Sequence, residues 1–351
     1  MKRMSSKASF TDSLENSVVS TGNCVGCGAC MAICPYGCLR WVKGRPDVLT
    51  ECKSCGICAQ VCPRYDFSFA KLESFVFGRE RNSEEPFGVH RQICVAKATD
   101  GRVWKVCQDG GAVTALLLHA LEGKHIDGAV VSGVSDQKPF YPVPKLALTS
   151  EEILGCAGTR YSCSPNLLAL PEAVKRKRTS LALVGTPCQI QAVRKMQMLG
   201  MKLATRVKLL IGLMCSECFS YEGLVEKHVC KELGINLADI KSMNIKGKMI
   251  VTLKSGSAKT IPLAELKAYA RESCALCRDF SSELADVSAG GLGLEGWTCV
   301  IARTKEGQRI FKSAEKTGIL RTRPVGEDEP VVNLLVRLSN RKHSSKTAVR
   351  V

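Results

Sequence analysis

The sequence predicts an α/β fold built on a mixed sheet, preceded by a small α+β domain at the N-terminus. Three observations carry that prediction: a doubled cysteine motif near the start, a polar stretch after it, and strand-like and helix-like runs that alternate from about residue 90. With 351 residues the chain is long enough for two domains or three small ones. Hydrophobic residues make up 45% of it, which excludes disorder throughout. Its longest apolar runs, such as 181–184 and 209–214, fall far below the ~18 residues that span a bilayer.

Residues 1–20 are basic and Ser-rich but have no apolar h-region, so they read as a flexible leader and not as an export signal. Asp12 and Glu15 weigh against a transit peptide. Residues 24–35 then read CVGCGACMAICP, and residues 52–63 read CKSCGICAQVCP. Each is C-x2-C-x2-C-x3-C-P, the motif of bacterial ferredoxins. Three closely spaced thiolates grip three irons of one cubane, and a short helical turn carries the fourth cysteine to the other cluster. Gly28 and Gly56 let the backbone approach the inorganic sulfides, and Pro35 and Pro63 set φ where the chain leaves the cluster. One [4Fe–4S] cluster is therefore assigned to Cys24, Cys27, Cys30 and Cys62, and the other to Cys52, Cys55, Cys58 and Cys34. Eight thiols in this doubled spacing argue against a pair of zinc knuckles. Residues 21–68 are the expected bacterial-type 2[4Fe–4S] ferredoxin domain. Residues 69–90, which include RERNSEEPFG with Pro86 and Gly88, are the expected linker.

Beyond the linker, 93–99 reads as a strand, followed by an Asp100-Gly101 turn and a second strand through Val106. Gly110-Gly111 opens the helix AVTALLLHALEG, and 128–134 is a buried strand. Thr149 to Glu152 form a capping box that starts a further helix. A strand at 181–184, a helix from about Gln189 and a strand at 207–213 follow, and 245–261 reads as a hairpin with Ser255-Gly256 at its tip. Residues 91–336 thus form the expected α/β domain. Residues 337–351, with Arg337, Arg341, Lys342, Lys346 and Arg350, read as a mobile basic tail.

Twenty cysteines, the majority in tight CxxC clusters and without an export signal, point to metal thiolates and not to disulfides. A second group comprises Cys188, the pair Cys215 and Cys218, and the pair Cys274 and Cys277. Its spacing admits a third cluster, a structural zinc or unligated core thiols. The loop 108–111 follows a strand and feeds a helix containing Thr114, as a pyrophosphate site would, although by local signal alone it reads as a plain turn. The glycine segment 289–293 would let backbone approach a planar cofactor near the cluster, or it is simply a loop. A net charge of +17 suggests anionic ligands, nucleic acid, an acidic partner or an anionic membrane surface. Only 5% aromatic residues, with the basic residues spread along the chain, argue against nucleic acid.

GTPCQ at 185–189, GLMCSEC at 212–218 and CALCRDFSSELADVSAGGLG at 274–293 all lie downstream of QDGGAVTALL at 108–117 and AGTRYS at 157–162. As a set these motifs resemble the family of coenzyme F420 hydrogenase and dehydrogenase beta subunits, over about residues 90–325, here fused behind a ferredoxin. The resemblance implies an FAD-binding α/β domain with coenzyme F420 as substrate and a [4Fe–4S] cluster near the flavin. It places the ligands of that cluster on Cys188, Cys215, Cys274 and Cys277. Cys218 stands where related proteins usually have asparagine, so the choice between Cys215 and Cys218 stays open, with Cys215 preferred. FAD is implied near Gly110, Gly111 and Thr114, near Thr159, Arg160 and Tyr161, and near Gly290 and Gly291. The implied activity is that of an F420H2 dehydrogenase input subunit. A hydride passes to FAD, and single electrons pass through three clusters to other subunits of a redox complex in the cytoplasm or on the cytoplasmic side of a membrane. No side chain is required as acid or base, so no catalytic residue is named. The alternatives are a same-fold reductase of another substrate, a coenzyme F420:ferredoxin oxidoreductase, and a flavin-free electron relay.

Overall fold

The computed structural model describes residues 8–326 and 330–345. The two cysteine motifs fold alike. Gly28 and Gly56 take left-handed φ values of 83° and 70°, and each starts a short helix, Ala29–Ile33 and Ile57–Val61. Between them β1 (Leu39–Val42) and β2 (Arg45–Val48) pair antiparallel.

In the large region β3 (Gln92–Ala98) leads through the helix Ala112–Glu122 to β4 (Gly128–Val134) and β5 (Pro142–Ala147). The helices Ser150–Gly155 and Leu170–Lys175 precede β6 (Leu181–Gly185), and the helix Pro187–Met198 joins it to β7 (Val207–Leu213). The strands β8 (Ile240–Ile245), β9 (Lys248–Leu253) and β10 (Ala258–Pro262) form a separate antiparallel sheet. The chain then returns through β11 (Val287–Gly290), β12 (Thr298–Ala302), the helix Lys305–Lys316 and β13 (Leu320–Pro324) to the helix Pro330–His343. Among the described residues the main sheet has eight strands in the order β13-β3-β12-β11-β7-β6-β4-β5. Its centre, β11-β7-β6-β4, is parallel, and β3 runs in the same direction across the antiparallel β12.

Both faces of this sheet are buried, and alternate residues show it. Ala129, Val131, Ala182, Val184, Leu209 and Ile211 face a core shared with the helices Ala112–Glu122 and Lys305–Lys316. Val130, Leu181, Leu183 and Leu210 face the opposite core, shared with the helix Pro187–Met198. Near-continuous apolar strands are what a sheet covered on both sides requires. The second core also contains Val25, Cys27, Ala29, Val61 and Leu72, so the cysteine-rich region packs directly on the large one.

Several expectations change. The supposed leader carries a π-type helix, Thr11–Val19, because Phe10, Leu14, Val18 and Val19 recur at helical spacing and are buried. Residues 1–7 lie outside the described residues. The supposed linker begins with the helix Phe69–Phe77, capped by Ser68, and buries Leu72 and Glu73. The segment read as a strand through Val106 is instead the helical turn Gly101–Trp104, because the Asp100 side chain caps it by accepting from Arg102 N. The supposed mobile tail is helical as far as His343, with Ser339 buried. Lys346 and Arg350 lie outside the described residues.

Candidate functional site

The eight ferredoxin cysteines gather into two cavities. Cys24, Cys27, Cys30 and Cys62 line one, and Cys34, Cys52, Cys55 and Cys58 line the other, which are the two sets assigned from spacing. The N-terminal helix closes both: Phe10 lies against the second, and Leu14, Val18 and Val19 against the first. Burial pushes the Cys27 and Cys30 thiols well above the ordinary range, and neighbouring thiols push further. Buried thiols that resist ionising singly are a donor set that a cationic cluster can hold as thiolates. Cys38 also lines the second cavity, with Sγ 3.5 Å from that of Cys34.

The third group assembles at one end of the parallel strands. Cys188 follows β6 in the first turn of its helix, where a capping box between Thr186 and Gln189 and a proline at the start fix the turn. Cys215 follows β7, tied by Met214 N to Ala289 O and by its own N–H to Phe280 O, each at 2.9 Å. Cys274 and Cys277 sit on and just after the turn Glu272–Leu276. Burial raises the Cys188 thiol to about 12, against a 3.2 Å contact with the Thr186 hydroxyl, and Cys277 adds to the rise. Cys215 is raised well above its ordinary range by burial, then by Cys274, Cys188 and Cys277. The four thiols assigned by resemblance therefore act on one another electrostatically, although among the described residues no three His, Cys, Asp or Glu side chains are grouped so as to hold a single metal ion. Cys218 N donates to Cys274 Sγ at 3.4 Å. Its own thiol and that of Cys163 act on each other electrostatically. Cys163 Sγ in turn donates to Val25 O at 3.5 Å, beside the first ferredoxin cavity.

The loops named for FAD also converge at this end of the sheet, where open α/β folds hold their ligands. Gln108 ties them together: its Nε2 donates to Tyr161 Oη at 2.8 Å, and its Oε1 accepts from Thr159 N at 3.2 Å. Asp109 faces Gly291, at which a Cβ would lie 2.3 Å from Oδ2. Burial raises Asp109 above its ordinary value, opposed by Lys246. Arg160 turns its Nη1 onto the carbonyls of Ala157 and Gly158, so it supports the loop. Sequence reasoning missed Asn244 and Ile245 on β8. Asn244 Oδ1 accepts from Gln108 at 2.8 Å, and Ile245 N donates to Tyr161 Oη at 2.9 Å. No local signal marks them, because only the folded small sheet brings them near residue 108.

The glycines have a packing reason of their own. A Cβ on Gly110 would lie 2.5 Å from Ala96 O, and one on Gly111, at φ 71°, 2.6 Å from Val103 Cγ1. A Cβ on Gly290 would meet Met214 Sδ at 2.6 Å. These side-chain directions are filled by protein. What remains available to an anion is the start of the eleven-residue helix at Ala112, which has no side-chain cap, with Thr114 buried in its first turn.

Three family models match successive stretches of the chain. Residues 93–171 and 178–328 match the N-terminal and C-terminal parts of the coenzyme F420 hydrogenase/dehydrogenase beta subunit, and residues 14–67 match a 4Fe-4S dicluster domain. The chain is 41% identical over 262 residues to the coenzyme F420 hydrogenase beta subunit of Methanothermobacter thermautotrophicus, covering 73% of this chain and 92% of that protein. It is 30% identical over 303 residues to one of the subunits of the F(420)H(2) dehydrogenase of Methanosarcina mazei, covering 84% and 83%. A solved chain of the F420-reducing [NiFe] hydrogenase complex of Methanosarcina barkeri superposes with a TM-score of 0.72 at 36% identity, over 76% of this chain and 92% of that one.

Proposed function

The chain belongs to the family of coenzyme F420 hydrogenase/dehydrogenase beta subunits, and from that premise we propose that it oxidises reduced coenzyme F420 as the input subunit of a larger redox complex. In this reading a hydride passes to FAD, and electrons then leave singly through three [4Fe–4S] clusters to partner subunits. FAD supplies the exchange between two-electron and one-electron chemistry, which neither a deazaflavin nor an iron–sulfur cluster provides alone.

The residues take these roles. The helix start at Ala112 to Thr114 receives the pyrophosphate, and Thr159, Arg160 and Tyr161 with Gly290 and Gly291 shape the flavin pocket. Cys188, Cys215, Cys274 and Cys277 hold the nearest cluster, Cys24, Cys27, Cys30 and Cys62 the middle one, and Cys34, Cys52, Cys55 and Cys58 the outermost. Residues 21–68 act as the wire, 69–90 as the connection and 91–336 as the catalytic region, on the cytoplasmic side. Among the described residues no helix is long and apolar enough to cross a membrane.

The observation that carries the reading is continuity. Gly290 packs on Met214, which precedes Cys215, and Cys163 reaches from the Cys218 thiol to the Val25 carbonyl of the middle site. The test is anaerobic mixing of the full chain with reduced coenzyme F420. Flavin and iron–sulfur absorbance should bleach together, and persistence of both bands contradicts the proposal. The filled Cβ directions at Gly110, Gly111 and Gly290 favour a second reading, a flavin-free relay. In that case the purified chain lacks the flavin band and its clusters do not respond to reduced coenzyme F420.

A further inference from the structure

Three cations of the large region sit on main-chain carbonyls of the cluster cysteines. Arg271 donates from Nη1 to Cys24 O at 2.9 Å and from Nη2 to Gly44 O at 2.7 Å. Lys195 donates from Nζ to the carbonyls of Cys62, Tyr65 and Asp66 at 2.8, 2.6 and 3.2 Å. Lys342, on the last helix, donates to Cys274 O at 2.9 Å. Lys195 is only 5% exposed, and burial pulls its pKa down. Three acceptors for three donors nevertheless satisfy an ammonium completely, which favours the charged form. Arg64 adds a fourth charge between the two inner sites: it acts on both Cys62 and Cys188, and its buried Nε has no hydrogen-bond partner.

The outer site differs. Among the described residues no side-chain cation donates to a carbonyl of Cys34, Cys52, Cys55 or Cys58. Lys53, which lines that cavity, is exposed and paired with Glu51 at 2.7 Å. Its cysteines, like those of the inner sites, accept from backbone N–H groups, such as Phe10 N on Cys52 Sγ at 3.4 Å.

Reduction adds negative charge to a cluster, and burial penalises that charge, whereas nearby fixed cations offset the penalty. We propose that Arg271, Lys195 and Lys342 are tuning residues of the two inner clusters, raising their reduction potentials so that buried sites still accept electrons. The inference rests on the cluster assignment proposed above. It concerns how the large region prepares the ferredoxin wire, and not only where the wire lies.

The test is an anaerobic potentiometric titration of the full chain followed by EPR. Lys195→Met should move one of three one-electron waves to more negative potential, and Lys342→Gln should move a different one. Arg271 lies under the influence of both Cys24 and Cys274, so Arg271→Gln should move both inner waves and leave the outer one in place. The charge-keeping Lys195→Arg and Arg271→Lys should stay near the unsubstituted potentials. Unmoved waves in the neutral variants overturn the proposal. So does a common shift of all three waves, or an equal shift for Lys195→Arg and Lys195→Met. If Lys195→Met loses iron, Lys342→Gln decides on the same criteria, because its half-buried side chain lies at the end of the last helix. Fewer than three waves in the unsubstituted chain overturns the cluster assignment itself.

Discussion

The two cysteine arms are one pattern in two settings. Both start a five-residue helix from a left-handed glycine, and both send their fourth cysteine to the other arm's site. They differ at several positions, two of them the residues after the first cysteine. The first arm has Val25 and Gly26, and the second has Lys53 and Ser54. Val25 is 8% exposed in the core shared with the main sheet, whereas the Lys53 side chain is 53% exposed. The motif therefore sets the local geometry, and the residues between its cysteines decide which site is covered by the large region. Electrostatics follow from that cover. The covered site has Arg271, Arg64 and Lys195 around it, and the outer site has none of them.

Exchanging the arms' residues is the strongest way to break this comparison. Val25→Lys would put an unpaired ammonium into the shared core and should destabilise the chain by about 3 kcal/mol or more. Lys53→Val, the mirror change, should stay within about 0.5 kcal/mol. Denaturant unfolding monitored by circular dichroism measures both, and similar losses for the two would contradict the account. A smaller effect separates the next position. Gly26 has φ 66°, and a Cβ there would lie 3.1 Å from Cys163 Sγ and 3.0 Å from Arg271 Cζ, so Gly26→Ser should cost about 1–3 kcal/mol. Ser54 has φ 50° without glycine's freedom, so Ser54→Gly should stabilise by about 1 kcal/mol in the same assay.

The weakest effect lies in the stretch that joins the two regions. The Arg79 guanidinium holds Glu85 down at about 2, from hydrogen bonds of 2.7 and 2.6 Å. A carboxylate whose folded pKa is depressed stabilises the fold above its unfolded pKa of about 4.3, and that contribution fades as pH falls toward 2. Glu85→Gln should flatten the pH dependence of stability in that window only. An unchanged slope in thermal melts would show that the pair does not tie the joint.

The two ferredoxin cysteine sets were legible as sets because the doubled spacing separates them, and the same eight residues line two separate cavities. The strands at 128–134, 181–184 and 207–213 were legible too, since apolar runs of that length suit a sheet buried on both faces. The helix Thr11–Val19 was readable from Phe10, Leu14 and Val18, but the polar residues between them disguised it as a leader. The segment 79–88 looked like a linker by composition, although Arg81 in it pairs with Glu73 on one side and Glu283 on the other. Asn244, Lys195, Lys342 and Cys163 could not be found at all. Their roles depend on which distant carbonyl or thiol the fold brings against them, and no spacing in the chain records that.

The central claim is that a third cluster and a flavin stand behind the ferredoxin wire, and metal and flavin analysis of the full chain, purified anaerobically, tests it most directly. Three cubanes with four irons each predict about twelve irons per chain, with one FAD and no zinc. About eight irons with one zinc would keep the two ferredoxin sites but contradict the third cluster at Cys188, Cys215, Cys274 and Cys277.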